Sequence, residues 1–176
     1  MRRVGADPDA VGAEQKLRVS PWRRPERGNH IMLINLIVGL PVMLLCLVLQ
    51  TGFTFWSIRF YTGRTQRAPM LAGPFAQIRS LLIVMIVLML GNFFQITIWG
   101  LLFVVLGEFG ELYEAVYHSA VNFSSLGYGD VVMSKRWKLL GPLEAANGVL
   151  MFALTGAALM AILQQLVRAQ VGKGPG

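Results

Sequence analysis

Three long stretches of this 176-residue chain carry no charged residue: residues 31–58, 80–107 and 145–167. Each reaches the roughly 20 residues that a helix needs to cross about 30 Å of hydrocarbon. The stretches are apolar around most of a helical circumference, whereas a core helix of a soluble protein keeps one polar face. The first stretch is also too long for the core of a secretory signal peptide. The sequence therefore predicts an all-α membrane protein with three transmembrane helices.

The composition supports a membrane protein and excludes several other classes. Hydrophobic residues make up 55% of the chain and charged residues 14%, which is too apolar for an ordinary soluble domain of this size. The net charge of +7 comes from Lys and Arg in the tails and connections, so we expect no folded basic face for nucleic acid. Two histidines, scattered acids and one cysteine, Cys46, form no nucleophile, base or metal-ligand pattern. We expect no enzyme activity, organic substrate or cofactor.

The uncharged stretches divide the chain into segments. We predict a disordered tail over residues 1–30, because it is polar, contains three prolines and has little apolar periodicity. The other predicted segments are a first transmembrane helix at 31–58, a basic connection at 59–79, a helix at 80–106, a polar interval, a helix at 142–167 and a short tail at 168–176.

The polar interval between the second and third helices has the length of a re-entrant loop. Residues 112–123 can form a helix of roughly 18 Å, which descends about halfway through a membrane. Residues 125–129, extended at about 3.3 Å each, return roughly 16 Å toward the surface. Backbone at membrane depth is tolerated only where protein covers it or it lines water. We therefore expect this loop to face a pore or a partner.

Residues 125–130 of this loop read Ser-Leu-Gly-Tyr-Gly-Asp. Glycines two apart allow backbone angles that other residues avoid, so successive carbonyl oxygens can point to the same side. The segment resembles the selectivity filter of tetrameric potassium channels, whose family pattern is Thr-Val-Gly-Tyr-Gly-Asp. The resemblance to the pore domain of that family covers residues 80–167, about half of the chain, with 112–123 in the place of the pore helix. The first transmembrane helix lies outside it.

The resemblance implies a K⁺ site made by the backbone of residues 125–129, which we call the filter segment. The implied ligands are the carbonyl oxygens of Ser125, Leu126, Gly127 and Tyr128 and the hydroxyl of Ser125, with Gly129 ending the filter at the outer mouth. Ser125 stands where the family has threonine, so the methyl group that restricts the rotamer is missing. Leu126 replaces a β-branched residue.

A second implied set of residues supports the filter from behind. By resemblance, Asp130 hydrogen-bonds to the pore helix, where the family usually has a tryptophan pair and this chain has Tyr117 and His118. We expect Tyr117 to be the partner of Asp130, with His118 as the alternative. His118 is otherwise an interfacial polar residue or a pH sensor.

One filter segment cannot surround an ion, so the resemblance implies a homotetramer. We expect a multi-pass protein of the cell membrane, surrounded by lipid, that conducts K⁺ passively as the permeant ion. A weakly selective cation channel and a non-conducting subunit that retains the pore fold are the alternatives. Glu108, Glu111 and Glu114 fall near one helical face at the expected outer mouth, where four copies either enrich cations or serve only as solubilising charge.

The third predicted helix carries polar residues and glycines of its own. Glu144 and Asn147 are costly if they face lipid, so we expect them to face protein or the cavity, and Asn147 is a candidate cavity residue. Gly148 and Gly156 are candidate bending points for a gate, and close helix packing is the alternative role.

The charge distribution gives conflicting evidence on orientation. Potassium channels carry the filter on the outer side, which puts the connection at 59–79, with four arginines and no acid, on the inside, as the positive-inside rule requires. The seven basic residues of the first 30 then lie outside, against that rule. We expect translation to start at Met32, which leaves a nearly uncharged N-terminus. An inverted orientation and a first helix that does not fully cross are the alternatives.

Overall fold

The computed structural model describes residues 25–67 and 74–171, and every regular element within them is a helix. These ranges contain four helices, which are α1 Pro25–Arg67, α2 Pro74–Val105, α3 Leu112–Phe123 and α4 Leu140–Val171. Three helices contain segments long and apolar enough to cross a membrane, and these are Asn29–Gly63, Ile78–Val105 and Leu140–Arg168. The prediction of an all-α membrane protein with three long apolar helices is confirmed.

The long helices extend beyond the uncharged stretches, so their ends differ from the predicted boundaries. α1 begins within the predicted tail and ends within the predicted connection. α2 runs over 74–105 instead of 80–106, and α4 over 140–171 instead of 142–167. Absence of charge marks the thickness of the hydrocarbon, whereas helical hydrogen bonding continues through polar ends, because arginine and glutamine are good helix formers.

The rest of the predicted tail (1–24), the middle of the connection (68–73) and the last residues (172–176) lie outside the described residues. Pro25 and Pro74 stand at the first positions of their helices, where the missing N–H of proline costs little.

The three long helices pack against one another, and α3 packs against both α2 and α4. The larger buried cluster surrounds α3 and includes Trp99, Phe103, Phe109, Phe123, Trp137, Leu140 and Met151. A smaller cluster lies nearer the other end of the long helices and consists of Tyr61, Val84, Leu88, Ala158 and Ile162. The larger cluster therefore holds α3, and the loop that follows it, against the long helices.

Polar side chains join the first helix to the other two long helices within the apolar spans. Gln50 of α1 donates to Thr155 Oγ1 of α4 over 2.8 Å and accepts from Gln95 Nε2 of α2 over 2.7 Å. Asn92 of α2 donates to the same Thr155 oxygen over 3.2 Å. Polar groups in hydrocarbon need partners within the protein, so these bonds fix α1 against the region that resembles a pore domain.

Large apolar side chains cover the outside of the long helices. Ile37, Phe55 and Leu90, for example, are 68%, 65% and 61% exposed. Soluble monomers rarely expose apolar patches of this extent. The surface therefore suits contact with lipid or with other membrane chains.

Candidate functional site

The filter segment is positioned by the way in which α3 ends. The N–H of Ser125 donates to the Asn122 carbonyl over 2.8 Å, and the N–H of Leu126 donates to the Val121 carbonyl over 3.0 Å. With Ser125 at a φ of 60°, these bonds form a Schellman motif, in which a left-handed residue closes the C-terminus of a helix. The motif satisfies two terminal carbonyls of α3 and sets the direction in which the chain leaves it.

The backbone of the filter segment alternates between positive and negative φ. Positive values occur at Ser125 (60°), Gly127 (59°) and Gly129 (74°), whereas Leu126 and Tyr128 have none. A φ of alternating sign rotates neighbouring peptide planes relative to one another, so the segment departs from a regular strand, whose carbonyls alternate between sides. The filter segment contains no β-strand, and three of its five residues have the left-handed φ that favours glycine.

Alternate residues of the filter segment line two different cavities. Leu126 and Tyr128 line an apolar cavity of about 440 Å³ together with Tyr117 of α3 and Phe152 of α4. The three residues with positive φ line a second cavity, of about 530 Å³. Leu126 and Tyr128 remain 58% and 67% exposed. In a single chain the segment therefore borders a cavity on each side and stays largely exposed.

Asp130 follows the filter segment and is hydrogen-bonded to α3. Tyr117 Oη donates to Asp130 Oδ2 over 2.7 Å, and the N–H of Val131 donates to Asp130 Oδ1 over 3.0 Å. The bond from Tyr117 lowers the pKa of the Asp130 carboxyl and raises the pKa of the Tyr117 hydroxyl. Of the two candidate partners of Asp130, the structure brings Tyr117 to it.

The His118 ring is buried, and Tyr117 is the side chain that donates to Asp130. The His118 ring lies 5.7 Å from the ring of Phe103 and 5.1 Å from that of Phe109, centroid to centroid. Its Nε2 is 2.9 Å from Asn122 Nδ2. Burial lowers the pKa of His118, so the ring is neutral at neutral pH. His118 is thus a packing residue behind α3, and the structure does not place it at the water interface.

The three glutamates of the expected outer mouth do not share one helical face. Glu108 precedes α3 and accepts from Ser134, from its N–H over 2.6 Å and from its hydroxyl over 2.7 Å. Glu111 is the N-cap residue of α3 and Glu114 lies in its first turn, and both are exposed. α3 begins only at Leu112, so Glu108 and Glu111 precede the helix and the three side chains do not form one helical face. Through its bonds with Ser134, Glu108 holds the loop after the filter segment.

A buried polar cluster lies between α3 and α4. Glu144 is 0% exposed, and its Oε1 is hydrogen-bonded to Ser119 Oγ, while its Oε2 accepts from Asn122 Nδ2 over 3.3 Å. Ser119 Oγ also lies 2.7 Å from the carbonyl oxygen of Ile96 on α2. Ser119 and Asn122 are not singled out by the sequence. Two features of the sequence could have indicated them. Ser119 and Asn122 lie three residues apart, on one face of α3, and Glu144 is an acid within an otherwise apolar helix that needs polar partners.

The three candidate cavity and gate residues of α4 have different surroundings. Asn147 is 1% exposed and lies beside Cys46 of α1, so it faces the protein interior and not an open cavity in this chain. A side chain at Gly148 would overlap the carbonyl oxygen of Phe123, so Gly148 is a close-packing contact between α4 and the end of α3. Gly156 is exposed, with no atom within 4 Å of the position of a Cβ.

Comparison with known proteins finds one similarity, and it covers the region that contains this site. Residues 82–165, just under half of the chain, match the family described as ion channel. No curated protein and no solved structure matches the chain. The matched region includes α3, the filter segment and most of α2 and α4. Residues 82–165 of this membrane protein are therefore similar to an ion channel domain.

Proposed function

We propose that four copies of this chain surround a potassium-selective pathway, in which K⁺ moves passively down its electrochemical gradient. One observation carries the proposal: φ is positive at Ser125, Gly127 and Gly129 and at no other residue of the filter segment. Carbonyl oxygens that point to one side can replace the water molecules around a dehydrated cation. In a ring of four chains they would form stacked coordination sites for K⁺.

The position of α3 supports a re-entrant pore helix. α3 has 12 residues, which at 1.5 Å each amount to about 18 Å. Its C-terminal end, which carries partial negative charge, is joined directly to the filter segment by the Schellman motif. A helix of this length that enters the membrane from the filter side would end about halfway across. Its dipole would then favour a cation in the pore.

The exposure of the filter segment supports assembly with identical chains. In the single chain residues 124–130 are all exposed, and irregular backbone at membrane depth must be covered by protein or line water. The apolar cavity beside Leu126 and Tyr128 has no polar lining atoms exposed, so an apolar surface of a neighbouring copy can fill it. A closed ring of four copies in the cell membrane, with lipid around the long helices, satisfies both requirements.

Flux through reconstituted protein tests this proposal. The purified chain is placed in liposomes, and K⁺ and Na⁺ uptake are measured under matched gradients. Gly127→Ala is the test variant, because its φ of 59° strains any residue that has a Cβ although nothing lies within 4 Å. Gly110→Ala is the matched control, since that glycine is equally free of neighbours and has no positive φ.

The proposal predicts K⁺ flux well above Na⁺ flux, loss of K⁺ flux in Gly127→Ala and retention in Gly110→Ala. Equal loss in both variants would contradict the role of the filter segment. Absence of flux from an assembled wild-type tetramer would favour a non-conducting subunit that retains the pore fold.

A weakly selective cation channel is the second candidate, because Ser125 occupies the inner end of the filter segment. Ser125 is the only non-glycine residue with positive φ among the described residues, and it lacks the methyl group that restricts threonine. Its hydroxyl ligand is therefore less firmly placed. The K⁺ to Na⁺ flux ratio of the wild type distinguishes the two candidates: a ratio near one favours a weakly selective channel, and a high ratio favours the main proposal.

A further inference from the structure

The carboxyl group of Glu144 connects three helices of the channel domain around one buried point. It is fully buried and touches Ser119 and Asn122 of α3, and Ser119 in turn touches the Ile96 carbonyl of α2. No lysine or arginine of the described residues forms an ion pair with it. An ionised carboxylate without a cation is costly to bury, so the protonation of this group needs explanation.

The hydrogen bonds of the Ser119 hydroxyl require a protonated Glu144. The Ser119 hydroxyl has one proton, yet its oxygen is close to two other oxygens, Glu144 Oε1 and the Ile96 carbonyl. A backbone carbonyl can only accept. If Glu144 were ionised, both neighbours of the hydroxyl would be acceptors and one contact would lack a proton. A protonated Glu144 donates to Ser119 Oγ, Ser119 donates to Ile96, and Glu144 Oε2 accepts from Asn122 Nδ2.

The cluster is linked to the filter segment through Asn122. The side chain of Asn122 donates to Glu144, while its backbone carbonyl accepts the N–H of Ser125 over 2.8 Å. One turn further along α4, Gly148 packs against the carbonyl of Phe123. α4 therefore holds the end of α3 at two adjacent points, one polar and one by close packing.

We propose that Glu144 is a positioning residue for ion selectivity: as a neutral carboxylic acid it fastens α3 to α2 and α4 and so fixes where the filter segment begins. This inference rests on the proposed function. The hydrogen bonds of Glu144 go to α3 and not to the filter segment, so it acts through Asn122 and Ser125. The other titratable groups near it are His118 of α3, whose Nε2 is 2.9 Å from Asn122 Nδ2, and Cys46 of α1.

Two substitutions at Glu144 separate polarity from charge. Glu144→Gln keeps one donor for Ser119 and one acceptor for Asn122, as the neutral acid does, whereas Glu144→Leu has a similar size and neither. We expect Glu144→Gln to keep the K⁺ to Na⁺ flux ratio within about twofold of the wild type. Glu144→Leu should lower the ratio about tenfold, because buried Ser119 and half-buried Asn122 both lose their partner.

Thr155→Val is the control for a merely structural effect. Thr155 lies on the same helix, its hydroxyl accepts from Gln50 and Asn92, and it is remote from α3 in the hydrogen-bond network. We expect Thr155→Val to lower thermal stability while the flux ratio stays within about twofold of the wild type. An equal fall of the ratio in Thr155→Val and Glu144→Leu would overturn the positioning role. So would a wild-type ratio in assembled Glu144→Leu.

Infrared spectroscopy tests the neutral acid without any measurement of transport. At neutral pH the wild-type protein should show a protonated-carboxyl stretching band that is missing in Glu144→Gln. A wild-type spectrum without this band, or a Glu144→Gln flux ratio as low as that of Glu144→Leu, would overturn the neutral acid. If the wild type conducts no ions, the proposed function and the effect on selectivity both fail, while the band still decides the state of Glu144.

Discussion

Substitution of Gly148 by alanine should destabilise the protein more than any other glycine-to-alanine change in α4. The added Cβ would overlap the carbonyl oxygen of Phe123 and lie 2.7 Å from its carbonyl carbon and 3.0 Å from its Cα. Non-bonded carbon atoms prefer separations of about 3.5–4.0 Å, so α4 and the end of α3 must move apart by about 1 Å. The obstructing atoms belong to the backbone and cannot rotate away.

The size of the effect follows from this overlap. Overpacking of a core costs about 1–3 kcal/mol when side chains can adjust, and a backbone obstacle places Gly148→Ala at or above the upper end of that range. For a chain of this length, about 3 kcal/mol corresponds to a fall in Tm of about 6–12 °C. Tm is measured by fluorescence of the protein in lipid nanodiscs, where buried Trp99 and Trp137 report on the cluster around α3.

Gly156→Ala is the matched control for this prediction. It adds the same methyl group to the same helix at a position with no atom within 4 Å. Alanine favours helix over glycine by about 1 kcal/mol, so Tm should stay the same or rise. If Gly148→Ala lowers Tm no more than Gly156→Ala does, the close contact between α4 and Phe123 is wrong.

Three further substitutions test other contacts of the structure. Tyr117→Phe removes the hydrogen bond that lowers the pKa of Asp130, so Asp130 should become protonated at a higher pH than in the wild type as the pH falls. K⁺ flux over an acid pH series should therefore decline at a higher pH in the variant, and an unshifted decline would contradict this. Gln50→Leu should lower the free energy of unfolding by about 1–2 kcal/mol in thermal unfolding, because α1 loses its bonds to Thr155 and Gln95. Thr51→Val affects only a bond within α1 and should cost less than half as much, and equal costs would argue against these bonds between helices. Glu108→Ala should speed tryptic cleavage at Lys135 and Arg136, because the loop after the filter segment loses both bonds between Ser134 and Glu108. Glu111→Ala should leave the cleavage rate unchanged, and identical rates in the two variants would contradict a restraint of this loop by Glu108.

The helical spans and α3 are visible in the sequence because each depends on local properties. Absence of charge over more than 20 residues reports a membrane span. Residues 112–123, where a helix was expected, coincide with α3. The hydrogen bond between Asp130 and Tyr117 can also be predicted from the sequence, since the resemblance to a potassium-channel filter indicates that part of α3 as the partner of Asp130. The ends of the long helices were missed because hydrogen bonding along a helix does not stop where the hydrocarbon does.

Other features depend on how helices cross and are not readable from spacing alone. Asn147 and Glu144 lie three residues apart on α4, yet Asn147 contacts α1 whereas Glu144 contacts α3. The positive φ of Ser125 arises from its place in the Schellman motif, which the residue type does not indicate because glycine is the usual choice there. Gly148 looks like a hinge in the sequence, and only the neighbouring Phe123 carbonyl identifies it as a packing contact.

The ratio of K⁺ to Na⁺ flux through the purified protein in liposomes tests the central claim most directly. We expect K⁺ flux far above Na⁺ flux from the wild type. Gly127→Ala should abolish the K⁺ flux and Gly110→Ala should retain it, because of these two glycines only Gly127 has a positive φ, of 59°. Equal K⁺ and Na⁺ flux, or K⁺ flux that survives in Gly127→Ala, would contradict a carbonyl-lined potassium filter in residues 125–129.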